Sequence, residues 1–161
     1  MSKIEAKLEA MGLVLPQPMK SPGGMRLPFA PVRVRGNRAF ISGMGPINAD
    51  GSLAEPRGKL GADLTVEQGY QAARLVALNI LSALKRELGD LDRVTAWLRV
   101  FGMVNTAPGF NQQPAVINGF SDLILELWGP DAGAHARSAV GMAGLPVDIP
   151  VEIEAEVEIA S

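Results

Sequence analysis

The alternation of apolar and polar positions divides the chain into segments of clear phase. In VEIEAEVEI (151–159), Val151, Ile153, Ala155, Val157 and Ile159 take one side and Glu152, Glu154, Glu156 and Glu158 the other. A period of two is that of a strand with one buried face. APVRVR (30–35) and RAFISG (38–43) predict two further strands, joined at Gly36-Asn37, a pair that favours a tight hairpin turn. Helical spacing takes over at Val66. There Val66, Ala73, Ile80, Leu84 and Leu88 recur on one face, and Val76, Ala77 and Leu81 widen the stripe. Thr65-Val66-Glu67-Gln68 predicts a capping box at the start of this helix, and Gly89 ends it. Residues 93–104 predict a strand with apolar residues on both faces. Residues 112–128 predict a second long helix, opened and capped by Asn111-Gln112-Gln113 and bounded by Gly129-Pro130. Residues 136–143 predict a further strand. Ahead of all these, Ile4, Leu8 and Met11 share a face of a short helix over 2–11, and PQPMKSPGGMRLP (16–28) reads as an irregular arm.

The main elements run β-β-α-β-α-β-β, an α+β order that predicts a two-layer domain with two helices on one face of a mixed β-sheet. Residues 1–28 form an N-terminal helix and a Pro/Gly-rich arm, and residues 29–161 a single domain. A chain of 161 residues is long enough to bury a real core.

The four glutamates of the last strand repel unless opposite charges answer them. Arg33 and Arg35 on the first strand and Arg93 and Arg99 on the third are the candidates, with Arg38 beside them. Strict alternation would also put Trp97 and Phe101 on that face with Arg93, Thr95 and Arg99. A solvated sheet face rarely carries both Trp and Phe, so the mixture predicts an oligomer whose sheets pack together. The alternative is an outer face with screened ion pairs, each worth about 0–1 kcal/mol.

Composition changes the picture mainly by exclusion. The sequence is 47% hydrophobic and 20% charged, the balance of an ordered globular domain. No apolar run approaches the roughly 20 residues of a membrane span. MSKIEAKLEAMG lacks the apolar stretch of a secretory signal, so a cytoplasmic protein is expected. With no cysteine and one histidine, His135, neither a disulfide nor a metal site is expected. The net charge of −2 argues against a nucleic-acid partner. The glycines do not form a phosphate loop, and Trp97 and Trp128 suit packing better than ligand stacking.

One segment carries chemistry. In HARSAVGMAGLP (135–146), Arg137 stands in a strand of small and apolar residues. A guanidinium drawn from water must meet an anion or lose several kcal/mol. Glu152, on a strand expected beside it, is one answer. A ligand carboxylate is the other, matched by the two parallel donors of the arginine fork at about 1.5–3 kcal/mol per charged hydrogen bond. Residue types leave both open. His135, two positions away, should point to the same side of the sheet; its titration lies near neutrality, but an ordinary strand-edge histidine is the simpler reading.

Arg137-Ser138, Val140, Ala143-Gly144-Leu145-Pro146 and Val151-Glu152-Ile153-Glu154-Ala155 resemble the signature P-A-R-S-x-V-x-V-A-x-L-P…V-E-I-E-A of the Rid family (reactive intermediate deaminases, also called the YjgF or endoribonuclease L-PSP family). Ser42-Gly43 followed by Pro46 resembles the family's S-G-Q-x-P, and Asn118 its cleft asparagine. The resemblance spans residues 29–159. It implies a chorismate-mutase-like fold, a homotrimer with sites between subunits, and cofactor-free hydrolysis of enamine or imine acids such as 2-aminoacrylate to 2-keto acids and ammonia. Arg137 would grip the substrate carboxylate and Glu152 orient or activate water. Phe29, Ser42, Gly43, Ala139 and Asn118 would line the site. Three positions depart from the pattern: Phe29 stands where the deaminases have Tyr, Ala139 where they have Cys, and Met44 where they have Gln. These departures keep open a non-catalytic, carboxylate-binding or regulatory trimer, with ribonuclease or translation-inhibiting activity as a further alternative.

Overall fold

Gly36, at φ 57°, turns the chain between β1 (Val32–Arg35) and β2 (Arg38–Met44), so the Gly-Asn pair makes the hairpin that its chemistry predicts. The computed structural model describes residues 2–161, apart from the side chain of Pro22. Helix α2 (Val66–Leu88) opens on a complete capping box. The Gln68 amide donates to Thr65 Oγ1 at 3.2 Å and the Thr65 amide donates to Gln68 Oε1 at 2.9 Å. Gly89, left-handed at φ 81°, closes it. Strand β3 (Val94–Asn105) leads to α3 (Gln113–Ala132), whose regular part ends at Gly129 (φ 82°, ψ 177°) before Pro130. The expected side-chain cap is absent from α3; Gln113 donates instead to the Phe110 carbonyl at 3.0 Å. Strands β4 (Ala136–Met142) and β5 (Val151–Ile159) complete the chain, and α1 (Lys3–Ala10) precedes it.

The sheet order is β1-β2-β5-β3-β4, antiparallel throughout except for the parallel pair β3 and β4. This is the mixed sheet and α+β layering that the element order predicts. Val151, Ile153, Ala155, Val157 and Ile159 of β5 are all buried beneath the helices. Helix α1 shares that core through Ile4 and Leu8. Its first amides, Lys3 and Ile4, donate to the Asp92 carboxylate at 2.8 and 3.0 Å. Among the described residues no helix is long and apolar enough to cross a membrane.

The face predicted for β3 is corrected. Register shifts occur between Val94 and Ala96 and between Trp97 and Arg99, so Thr95 and Leu98 are extra residues relative to β5. Each bulge inverts the alternation. Trp97 therefore faces the helices, 1% exposed, edge-on to Phe120 and Trp128 at centroid distances of 5.6 and 5.4 Å. Arg93 lies in a 3₁₀ turn before the strand and donates to the carbonyls of Leu88 and Ala160. Two of the four glutamates are answered: Glu156 meets Arg38, the residue beside the expected candidates, at 2.8 Å, and Glu158 accepts from Thr95 at 2.8 Å. Phe101 stays on that face with the Arg99 guanidinium 6.0 Å over its ring, and Phe40 is exposed there.

The two long helices meet at Gly119. A Cβ at this position would overlap the Tyr70 carbonyl oxygen and stand 3.2 Å from the Ala73 Cβ. Gly119→Val should therefore destabilise the fold by about 1–3 kcal/mol or more through overpacking. Urea denaturation reads this as a lower midpoint; an unchanged midpoint would show that the helices can separate at this crossing.

Candidate functional site

Between Ile41 and Met44, β2 loses register with β5, and Ser42 and Gly43 together oppose the single residue Glu154. The Ser42 amide and hydroxyl donate to the carbonyls of Pro31 and Ala30 at 2.9 and 2.7 Å, which fixes the bulge. Gly43 leaves room for the Glu152 carboxyl: a Cβ would overlap Glu152 Oε2 and lie 3.0 Å from Glu152 Cδ, so the side chain would have to shift. The Glu152 carboxyl thus lies against the Gly43 backbone. It is half-buried and has no ion-pair partner among the described residues. Burial raises its pKa above the ordinary 4.5, and the like charge of Glu154 adds to the rise. A cleft of about 650 Å³ opens over this carboxyl, with Phe29, Ser42, Gly43 and Glu152 in its lining. The Pro/Gly-rich arm forms part of its wall. The Gln17 amide donates to the Ala49 carbonyl at 2.9 Å and the Lys20 amide to the Gly51 carbonyl at 3.0 Å.

The other predicted residues gather elsewhere. Arg137 lies on the edge strand β4, opposite the buried Val100 of β3, and turns toward α3. Its Nη1 donates to Asn118 Oδ1 at 2.8 Å and to Ser121 Oγ at 3.1 Å. Ala139 pairs with Gly102 and packs on the core from the same strand. The Arg137–Glu152 salt bridge left open by the sequence does not form. Strand β3 separates β4 from β5, and Glu152 faces away from the helices that Arg137 turns to. The seven predicted residues therefore form two groups in one chain: Phe29, Ser42, Gly43 and Glu152 at the cleft, and Asn118, Arg137 and Ala139 at the β4 edge.

A further residue completes the edge group. The Ser121 hydroxyl, 7% exposed, is 2.8 Å from His135 Nε2, and His135 Nδ1 is 2.8 Å from the Gly133 carbonyl. A carbonyl only accepts, so Nδ1 carries the proton and Nε2 accepts from Ser121, which in turn accepts from Arg137. Each donor along this chain, Arg137 Nη1, Ser121 Oγ and His135 Nδ1, then has an acceptor as long as the imidazole is neutral. Burial lowers the His135 pKa below the ordinary 6.5 and Arg137 lowers it further, against the Gly133 hydrogen bond. His135 and Arg137 thus share a side, as their spacing predicts. Ser121 was not singled out by sequence; its place three residues after Asn118, on one helical face, is the signal that would find it. Among the described residues no group of three or more His, Cys, Asp or Glu side chains is placed to hold a metal.

A family model described as "YjgF/chorismate mutase-like, putative endoribonuclease" matches residues 5–152. The Trypanosoma cruzi protein TCP17 is 40% identical over 157 residues, covering 98% of this chain and 94% of that protein. The crystal structure of Atu1372 from Agrobacterium tumefaciens, of unknown function, superposes with a TM-score of 0.87 at 38% identity, covering 98% of this chain and 93% of that one. Escherichia coli TdcF, crystallised with bound serine, shares the fold at a TM-score of 0.59 and 20% identity, covering 90% and 99% of the two chains.

The neutral imidazole has a consequence for stability. Below about pH 6.5 the unfolded chain takes up a proton at His135 that the folded chain resists, so acidification from 6.5 toward the lowered folded pKa weakens the fold. Glu152 has the opposite slope: folded, it keeps a proton above pH 4.5 that the unfolded chain has lost, so its contribution fades as pH rises. Denaturation between pH 7.5 and 5 should show wild type losing stability on acidification relative to His135→Gln and gaining it relative to Glu152→Gln. Parallel curves for wild type and His135→Gln would rule out a disfavoured imidazolium.

Proposed function

The chain belongs to the YjgF/chorismate mutase-like family, and on that premise we propose that it is a cofactor-independent hydrolase of reactive enamine and imine acids, acting at clefts between the subunits of a homotrimer. The observation that carries this reading is the state of Arg137. Its guanidinium is held by two neutral oxygens and meets no carboxylate among the described residues, so its charge is left for an anion from outside the chain. The split of the predicted residues supports the assembly. The Arg137, Asn118 and Ala139 edge of one copy would close the Glu152, Gly43 and Phe29 cleft of the next, and each half would supply what the other lacks. The serine bound to TdcF is likewise a small carboxylate ligand.

In this reading Arg137 grips the carboxylate of 2-iminopropanoate, formed when 2-aminoacrylate tautomerises. Water adds to the imine carbon and its proton passes to the imine nitrogen. The resulting carbinolamine expels ammonia and leaves pyruvate. Glu152 suits the proton transfers because its raised pKa brings the acid form closer to the working range of a general acid/base. The Ser42-Gly43 backbone would border the reacting carbon and Asn118 would steady the arginine. Phe29 and Ala139, standing where the deaminases have Tyr and Cys, favour a second reading: a trimer of the same architecture that binds small carboxylates without turnover. A cytoplasmic setting suits either.

Freshly generated 2-iminopropanoate should yield pyruvate and ammonia faster with the protein than without it. Arg137→Ala should lower kcat/KM by about 10- to 150-fold, the loss of one charged hydrogen-bonding partner. Binding of 2-oxobutyrate with no acceleration would select the non-catalytic reading. Because the proposed site takes one half from each of two copies, inactive Arg137→Ala and Glu152→Gln chains unfolded and refolded together should recover activity in up to about a quarter of the clefts. If the mixture stays as inactive as its parts while wild type survives the same treatment, the shared site is wrong.

A further inference from the structure

The cleft over Glu152 is larger than a three-carbon imino acid needs. About 650 Å³ falls in the range, roughly 300–1,000 Å³, of pockets that enclose drug-sized ligands. Two cations line it on the side of the arm and α2. Lys20 stands 3.7 Å from Asp50 on open surface, so its charge already has a partner. Arg86 has none: no acid lies within ion-pair distance of its guanidinium among the described residues.

This arginine is nonetheless held in place. Nη1 donates to the Ser82 hydroxyl one turn back on α2, at 2.5 Å. Ser82 is 5% exposed, and its hydroxyl donates in turn to the Pro16 carbonyl at the start of the arm. The fork is thus fixed by a neutral oxygen, the arrangement Arg137 shows at the other half of the proposed site. Partial burial lowers the Arg86 pKa with no acid to offset it. Arg86 is exposed in the wall of this cleft, and with Ser82 as its one partner among the described residues its remaining donors are open to a ligand.

We propose that Arg86 binds a second anionic group, a carboxylate or a phosphate, at the far end of the ligand. The substrate class is then a 2-imino or 2-keto acid with an acidic tail. This rests on the site reading above: one copy's Arg137 takes the near carboxylate, Glu152 stands at the reacting carbon, and Arg86 of the cleft-forming copy takes the tail. Lys20 at the rim and the arm beside it set how long that tail is. Arg86 is a specificity-determining residue and takes no part in the proton transfers.

Calorimetric titration of the full chain with 2-oxobutyrate, 2-oxoglutarate and 3-phosphonopyruvate tests the inference, with ammonia release from the matching imino acids measured separately. Wild type should bind one of the two dianions at least about tenfold more tightly than 2-oxobutyrate, the lower end for a charged hydrogen bond. Which dianion wins tells carboxylate from phosphate. Arg86→Ala should erase that gap and leave 2-oxobutyrate binding unchanged, and Arg86→Lys should keep part of it. No gap in wild type, or a gap that survives Arg86→Ala, overturns the assignment. Hydrolysis of 2-iminopropanoate with no preference for an acidic tail removes the tail site and keeps the hydrolase. An Arg86-dependent gap with no ammonia from any imino acid keeps the tail site and removes the hydrolase.

Discussion

A guanidinium tied only to neutral oxygens keeps its charge, and the organisation of this protein turns on that at Arg137. A carboxylate in the same place would have neutralised the fork and closed the site from within. Asn118 and Ser121 fix its orientation and leave its charge unpaired among the described residues. The arrangement depends on topology. Because β4 is an edge strand paired only with β3, the nearest glutamate row lies on β5, across β3 and on the other face of the sheet. The sheet order thus separates an arginine and a glutamate that stand only fifteen positions apart in sequence.

The same separation explains the state of Glu152. Burial, with no arginine beside it to offset the lost water and with Glu154 as a like charge nearby, raises the pKa of the carboxyl. The Gly43 bulge gives it room, so that a local irregularity of β2 and a missing ion pair act together on one side chain. The proposed site consists of two incomplete halves, one over-supplied with positive charge and the other with a reluctant acid. Self-association would let each relieve the other, and the outer face, where Phe40 and Phe101 stand among the glutamates, offers apolar surface to do it.

Most of the fold was legible in the sequence because its signals are local. The capping box at Thr65, the hairpin at Gly36, the stop at Gly89 and the unbroken alternation of β5 each depend on residues a few positions apart, and each forms as its chemistry requires. The outward placement of Trp97 failed for a reason that a period of two cannot carry. Two extra residues in β3 invert its phase twice, and only the partner strand shows where. The candidate site divides similarly. Its candidate residues came from the resemblance to the family signature, whereas their split into two groups is a property of strand order. Ser121 and Arg86 escaped notice because a serine or an arginine on a helix has many ordinary uses, and only tertiary contacts single these two out.

The hydrogen-bond chain from Arg137 through Ser121 to His135 also has a direction. Each link is oriented from the arginine toward the imidazole, and the last proton, on Nδ1, ends at the Gly133 carbonyl. A proton conductor must be able to turn all its links around, and this one begins at a group that never gives up its hydrogen. The imidazole is therefore a dead end for proton traffic. It serves as a passive strut that keeps the serine oxygen aimed at the guanidinium, and in the proposed reaction any proton moved at the ligand would travel by way of water or Glu152.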